Sequence, residues 1–584
     1  MNKRLRLTII FILAFFMLIP AKTLFAKDAE TSLQKNDASG LDFDINSMAE
    51  YRAEKGLRNL EPYSIMLINR GLKAYNEKKE KETVMLLEGA KELSPDLPLT
   101  YFYLSWINFS FSPSGFSAAS DYLYAGGKAF LNNFWWSFQT AGILSIGLFL
   151  AFYASMGMFL ITLILSNIRL YIHDIIENKR KIFLLLIPII LVFLGPGFGI
   201  IGFMLLFWRY IKGKERVMVY MTVMTAILLV FASPWFSLFF DTLKDKTLHS
   251  VVKINEGLYT GEAIEMPKEG RSYEIAFADA LNLKRKGYYN KAAAVYKDLL
   301  NRKEDAMVYN NLANSYVGLG NNDMAITFYD KALQLKKMSK AYFNLSQIYR
   351  DKFDFTRAKE YYLKAIETDP RKVAFYNSIK GVSVNRFVMD ETLSNKELWL
   401  MALKRHLHDK SIEMMLSFVN RELSAALFLL LMFALYISDR YSSPGAYKCI
   451  RCGEIYCRKC EKKIFRENVC HICYKTLVKM GELTPKERVE KILEIQHYKI
   501  RRNQTLKILT LIFPGIGHVY YGWSVSGAIK LLLFSFFIFS TLLWFYIPTP
   551  VSMDLLSSFF RWASLTGLIV VYVTTVVNIF RRVP

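Results

Sequence analysis

Long apolar runs alternate along this chain with polar blocks whose hydrophobic positions recur at helical spacing. Three runs at 141–166, 182–208 and 217–240 each reach the roughly 20 residues a helix needs to cross a bilayer. A shorter run covers 423–438, and three more close the chain at about 508–529, 531–547 and 559–580. An amphipathic helix is expected around Ala118–Leu131, running into Trp135 and Trp136 as interfacial aromatics. The fold expected is all-α: a polytopic helical membrane protein carrying a solenoid of helical hairpins and a small cysteine-knuckle loop.

The polar block at 250–415 holds the sharpest periodicity. Small residues recur at Ala292, Ala325 and Ala358, tyrosines at Tyr296, Tyr329 and Tyr362, and Leu299, Ala332 and Ala365 follow. Leu312, Tyr316 and Gly320 are matched one period later by Leu345, Tyr349 and Phe353. Small residues let antiparallel helices approach, and the aromatics fill the space to the next hairpin. The pattern resembles three tetratricopeptide repeats, at about 273–305, 306–338 and 339–370, with helices near 373–380 and 396–415 capping the array. Ser64–Leu97, with Gly71, Ala74, Ala90 and Pro95, and the helix that follows resemble one such repeat and part of a second, in a domain at 27–134. The resemblance implies a concave face built from the first helices, holding Asn310, Asn314, Lys340, Phe343, Gln347 and Arg350. It also implies protein or peptide partners. A face solvated, or covered by the chain itself, is the plainer alternative, and the anion-clamp pattern of some peptide-binding members is incomplete.

Composition agrees with alternating membrane and soluble blocks: 53% hydrophobic residues, yet 75 Lys+Arg against 51 Asp+Glu, for a net charge of +24. Much of that charge flanks apolar runs, where cytoplasmic Lys and Arg are the default, so the bilayer is an expected partner and nucleic acid is not. Residues 1–26 read as a secretory signal: Lys3, Arg4 and Arg6 precede an apolar stretch that Pro20 ends, and Ala26 suits cleavage. Leu24 is imperfect there, leaving an uncleaved anchor open.

All six cysteines lie between Cys449 and Cys473, as the C-x-x-C pairs Cys449/Cys452, Cys457/Cys460 and Cys470/Cys473. Two sulfurs on a tight knuckle supply two corners of a tetrahedron, so structural zinc is expected. Gly453 fits the turn after the first pair. The string resembles the later part of a FYVE-type zinc finger, including Tyr474 after the last cysteine. That resemblance implies Cys449, Cys452, Cys470 and Cys473 on one ion. Cys457 and Cys460 then lack their partner pair: they complete a second site with His471 or another subunit, substitute at the first site, or form a redox pair. An iron–sulfur cluster is a weaker reading of the set. The family's basic lipid-binding motif is absent. Clustered thiolates persist in reducing surroundings, which assigns the loop to the cytoplasm.

Gly197-Phe198-Gly199-Ile200-Ile201-Gly202 matches a dinucleotide fingerprint in letters alone, inside an uncharged run without strand or ribose-binding acid. Its Pro196-Gly197-Phe198-Gly199 recurs as Pro514-Gly515-Ile516-Gly517, and the second copy continues into a segment resembling the turn of TM2-type membrane domains. Pro and Gly at these points break membrane helices. Basic clusters on both sides of 182–208 suggest that this run is a re-entrant hairpin. The N-terminal domain and the repeats then lie outside the cytoplasm of a bacterial inner membrane, and the cysteines inside. Full crossing by 182–208 instead makes the repeats cytoplasmic. His406 and His408 read as surface residues without acidic company. No catalytic constellation or small-molecule site is evident, so the expected function is a non-enzymatic scaffold in the cell envelope. A transport or secretion component, or a zinc loop contacting nucleic acid or anionic lipid, are the alternatives.

Overall fold

The computed structural model describes residues 45–110, 112–177, 186–193, 196–211, 213–232, 234–258, 272–378, 384–407, 421–441, 446–457, 469–477, 483–548 and 553–583. The expected signal at 1–26, Cys460 and His408 lie outside them. The described chain is helical but for one two-stranded ribbon. It divides into two compact units. The first takes the described residues of 1–140, 240–406 and 549–559, and the second those of 141–239, 407–548 and 560–584.

In the first unit, three helical hairpins follow the 33-residue pattern: Tyr273–Arg285 with Tyr289–Arg302, Ala306–Gly318 with Asn322–Leu335, and Ser339–Asp351 with Phe355–Thr368. Ala292, Ala325, Tyr296 and Tyr329 are completely buried at the hairpin seams. Within the third hairpin, Tyr349 stacks on Tyr361 with centroids 5.4 Å apart. Side chains close the N-termini: Asp305 accepts the Met307 N–H, Asn321 that of Met324 and Asp354 that of Arg357. Pro370–Ser378 ends the array, and Asn395–His406 follows.

The N-terminal block forms two complete hairpins, Glu61–Asn76 with Glu80–Leu93 and Pro98–Asn108 with Pro113–Asn132, where the sequence had suggested one and part of a second. The long helix of the second, expected around Ala118–Leu131, begins earlier, at Pro113. Ser112 caps it by accepting the Gly115 N–H at 3.1 Å.

This block and the repeats, expected as separate domains, share one unit. Asn59 pairs with Leu258 as a parallel bridge, and its carboxamide donates to the Glu256 carbonyl at 2.9 Å. Arg285 donates to the Ile254 carbonyl at 2.5 Å, and Asn385 to that of Glu54 at 3.2 Å. Gly257 sits at φ +61° with the Arg58 nitrogen 2.7 Å from where a Cβ would stand, so the crossing has no room for a side chain. His406 does have acidic company: Asp245 lies 2.8 Å from its Nε2 and 2.7 Å from Arg405. Burial would raise Asp245, but Arg405, the Leu248 N–H and His406 outweigh it and hold the carboxyl below its ordinary value. A partner 161 residues away in sequence could not be read from the local pattern.

In the second unit, the described apolar helices contain some of the runs seen in sequence and divide others. Phe134–Glu177, which begins in the first unit, is one helix of 44 residues, about 66 Å long, and more than spans the ~30 Å hydrocarbon core. Ser524–Tyr546 and Ser557–Arg582 are also long and apolar enough to cross. The 182–208 run is not a continuous span. Leu186–Val192 and Pro196–Phe207 are short helices that pack on each other, with Val192 against Gly199 and with Leu191 and Pro188 against Gly202. The 508–529 run likewise divides: Pro485–Ile512 ends, Ile516–Tyr521 makes a short turn of helix, and Ser524–Tyr546 begins. Gly515 and Gly522, at φ +107° and +98°, make the two corners. The 423–438 run belongs to the 21-residue helix Arg421–Tyr441.

Gly287, Gly320 and Phe353 occupy equivalent hairpin turns at φ +85°, +74° and +61°. The phenylalanine there bears a left-handed backbone strain of about 1–2 kcal/mol and is 81% exposed. Phe353→Gly is expected to raise stability by about 1 kcal/mol, after the unfolded-state entropy of glycine is deducted. Thermal unfolding of the two chains side by side checks it, and a lower melting temperature for the glycine chain contradicts the strain assignment.

Candidate functional site

Two side-chain constellations stand out, one in each unit. In the first unit, the helices Ala306–Gly318 and Ser339–Asp351 turn a row of asparagines toward the inside of the solenoid. Asn310, Asn311, Asn314 and Asn344 have no solvent exposure at all. Buried carboxamides need partners, and these find an extended stretch of the same chain, Val388–Leu393.

The contacts read the backbone. Asn344 accepts the Met389 N–H at 2.7 Å and donates to the Met389 carbonyl at 3.0 Å. Asn310 and Asn314 donate to that carbonyl at 3.2 and 3.1 Å. Two residues on, Asn311 accepts the Glu391 N–H at 2.8 Å and donates to the Glu391 carbonyl at 2.9 Å. Asn255 does the same for Leu393, at 2.6 and 2.9 Å. A carboxamide supplies one acceptor and two donors, so each can replace an adjacent strand for one residue of an extended chain.

Charge reads the side chains. The Asp390 carboxylate meets Lys284 at 3.0 Å, Arg285 at 3.7 Å and the Asn314 carboxamide at 2.8 Å. Burial would raise its pKa, but Lys284, Arg285 and these hydrogen bonds prevail and hold it below the ordinary carboxylate value. Burial pulls the Lys284 ammonium, 0% exposed, below its own ordinary value against the opposing pull of Asp390. Lys340 donates to the Asp390 carbonyl at 2.7 Å and pairs with Glu391 at 3.1 Å. Met389 is packed with Phe343, Val373 and Tyr376.

Of the six residues expected on the concave face, Asn310, Asn314, Lys340 and Phe343 therefore converge on this segment. Gln347 is buried beside them, hydrogen-bonded to Arg350, whose side chain is exposed at the rim. The face is covered by the chain itself, the plainer of the two sequence readings. Asn311, Asn344, Lys284 and Arg285 were missed. Asn311 and Asn344 are one 33-residue period apart, a signal that was available; Lys284 and Arg285 become site residues only through Asp390, over a hundred positions on.

In the second unit, β1 (Ala446–Lys448) pairs antiparallel with β2 (Ile455–Cys457), in register Ala446 to Cys457. The ribbon holds the first knuckle. Cys449 donates its N–H to the Glu454 carbonyl at 2.8 Å, and Gly453, at φ +77°, donates to the Cys449 carbonyl at 3.0 Å. The Tyr498 ring would lie 2.1 Å from a Cβ at Gly453, so the knuckle is seated on helix Pro485–Ile512 with no space for a side chain. The second knuckle opens helix His471–Leu477, where the Cys473 N–H points to the Cys470 sulfur at 3.4 Å, and the Cys470 N–H to that of Cys449 at 3.4 Å.

The structure brings Cys449, Cys452, Cys470 and Cys473 together, all buried, with every sulfur within 4.8 Å of the others. The Cys452 and Cys470 sulfurs are 3.8 Å apart, matching the edge of a tetrahedron around an ion with bonds of about 2.3 Å. Hydrogen bonds from Cys452, Cys470 and Cys473 pull the Cys449 thiol far below its ordinary value, and those to Cys449, Cys452 and Cys470 push Cys473 up. Four thiolates cannot share this space without a cation, and the donor set fits one. Cys457 stands apart, packed with Leu170, Tyr171, Leu206, Phe207, Tyr210 and Ala446. His471 is not among the grouped ligands. Cys452, Glu454 and Glu494 also approach one another, but the Lys491 ammonium already neutralises the two carboxylates, at 3.2 and 2.7 Å.

The tetratricopeptide-repeat family matches residues 307–337 and 339–372, the second and third hairpins. The crystal structure of yeast Tom70 aligns over 86% of this chain and 96% of its own, at 13% identity and a TM-score of 0.12, too low a score to speak to the fold. No curated protein matches the chain.

The chain is expected to carry one tightly held metal ion, measured as metal per chain by mass spectrometry after gel filtration. Cys470→Ser should lose it, and Cys457→Ser should keep it. Retention after Cys470→Ser, or loss after Cys457→Ser, contradicts the ligand set.

Proposed function

We propose that this protein is a non-catalytic, membrane-anchored scaffold that uses its tetratricopeptide repeats to hold protein partners. The observation that carries the reading is the asparagine ladder on the concave face. It grips an extended backbone through paired hydrogen bonds, the recognition a peptide-binding groove needs. The apolar helices at Phe134–Ile176, Ser524–Tyr546 and Ser557–Arg582 are the anchor.

Zinc is the ion we assign to Cys449, Cys452, Cys470 and Cys473. A thiolate-only set leaves no open position for water, which suits a structural and not a catalytic site. A single ion also accounts for the 3.8 Å sulfur separation better than a multi-iron cluster, whose ligands stand farther apart. The ribbon and short helix are too small to hold a core alone, so the ion would fold the loop.

The sidedness we favour follows from one constraint. Residues 45–132, 246–258 and 272–406 pack in a single unit through Asn59, Arg285 and Asn385, so they lie on the same face of the membrane. With a signal at 1–26, that face is outside the cytoplasm of a bacterial inner membrane, and the thiolates are inside. The paired short helices at 186–207 support a re-entrant turn there; a full crossing would send the repeats to the opposite face from the N-terminal hairpins.

Lys81→Cys and Lys337→Cys, both at exposed positions, should react alike with a membrane-impermeant maleimide added to spheroplasts. Reaction at 81 alone, with 337 requiring permeabilisation, overturns the shared face. For the scaffold itself, a photo-crosslinking residue at Arg350 should yield discrete adducts with other proteins in intact membranes. Adducts confined to this chain would overturn the scaffold reading.

A further inference from the structure

Residues Val388–Leu393 join helix Val384–Phe387 to helix Asn395–His406 without themselves entering helix or sheet. They lie extended through the solenoid, and four features of that seating point the same way. First, recognition is by backbone. Met389, Glu391 and Leu393 each give and receive a hydrogen bond with an asparagine, and any extended chain offers the same groups.

Second, the side-chain contacts define a short code. Met389 enters an apolar recess, Asp390 meets two cations and a carboxamide, and Glu391 meets Lys340. An apolar residue followed by two acids satisfies all three. A neutral segment would leave Lys284 and Arg285 facing the groove without a counter-charge, which selects against it.

Third, open space lies beside the seated segment. A cavity of about 100 Å³ beside Val388, Met389 and Asp390 is lined by Arg52, Arg58, Arg285 and Lys340. Fourth, the segment can leave with limited damage. Its hydrogen bonds go to side chains of the groove, so the solenoid's own helical ladders remain intact when it departs.

We propose that Val388–Leu393 is a resident ligand of the repeat groove, exchangeable for an extended apolar-Asp-Glu segment of a partner protein. The proposal rests on the scaffold reading and names both the partner's chemistry and the device that regulates access. While the segment is seated, the groove is closed. A partner bearing the same code competes for the carboxamides and cations, and its apparent affinity is reduced by the fraction of time the groove is filled.

The test uses the full chain in detergent micelles and a fluorescent peptide of sequence NRFVMDETLS, the chain's own residues 385–394. Asp390→Asn with Glu391→Gln weakens the resident segment while leaving the groove unaltered. Fluorescence anisotropy should show this double variant binding the peptide at least about tenfold more tightly than the natural chain. The same peptide carrying Asn and Gln for its Asp and Glu should bind at least about tenfold more weakly. Equal affinity of the two chains, or of the two peptides, overturns the proposal.

Hydrogen exchange on the natural chain covers the case in which the double variant misfolds. Saturating unlabelled peptide should strip protection from the amides of 388–393, while helices Ala306–Gly318 and Ser339–Asp351 keep theirs. Protection at 388–393 that persists under saturating peptide makes the segment a permanent part of the fold and overturns the exchange. If the groove takes no peptide while crosslinked partners are still recovered at Arg350, the exchange fails and the scaffold reading stands. Failure of both removes both.

Discussion

The placement of the Asp390 carboxylate inside a helical solenoid governs the first unit. A buried carboxylate is tolerated only with its charge matched and its lone pairs occupied, and Lys284, Arg285 and Asn314 supply both. Those residues come from two different repeats, so the charge ties them to each other and to the segment that crosses them. Met389 and Glu391, on either side, then fall in register with Asn344 and Asn311. Nearby, Arg285 also donates to Ile254, and Asn385 bridges to Glu54 of the N-terminal block. One acid thus joins two repeats to a segment that begins well beyond them in sequence.

The repeats were legible because their signal is local and recurs. Ala292, Ala325, Tyr296 and Tyr329 are buried for the reason their spacing suggests: one face of each helix meets the next. Boundaries shifted where turn chemistry and helix chemistry overlap, as at Pro113-Ser114-Gly115, which opens the helix expected from about Ala118. The 182–208 and 508–529 runs divide into separate helices around the Pro-Gly motifs read in the sequence as helix breaks. Hydropathy measures the affinity of a segment for a non-aqueous phase and says nothing of whether its backbone turns. At 508–529 the corners at Gly515 and Gly522 decide that, and in 182–208 it is the close seating of Gly199 and Gly202.

The two constellations differ in how much of each the sequence disclosed. Cysteine chemistry is so restricted that spacing marked the three pairs, and the resemblance to a zinc finger implied Cys449 and Cys452 with Cys470 and Cys473, the set whose sulfurs converge. Cys457 is separated from them because the strand alternates: in β2 it packs among Leu170, Tyr171 and Phe207, while Tyr456, on the opposite face, lies with the four. Asparagine and lysine carry no such restriction. Asn310, Asn314 and Lys340 were found through a resemblance, but what they bind could not be, because Val388–Leu393 has no periodicity and no unusual composition.

That last difference bears on how the groove should be understood. A segment needed only to plug a solenoid could do so with apolar residues, since burying charge gives no net gain over well-packed hydrophobes. Here the plug carries Asp390 and Glu391, and the groove answers with Lys284, Arg285 and Lys340. Paired charges add little stability but penalise mismatched occupants heavily. The arrangement is therefore better suited to discriminating among chains than to holding this one as tightly as possible. A surface that discriminates has a use only where more than one chain competes for it.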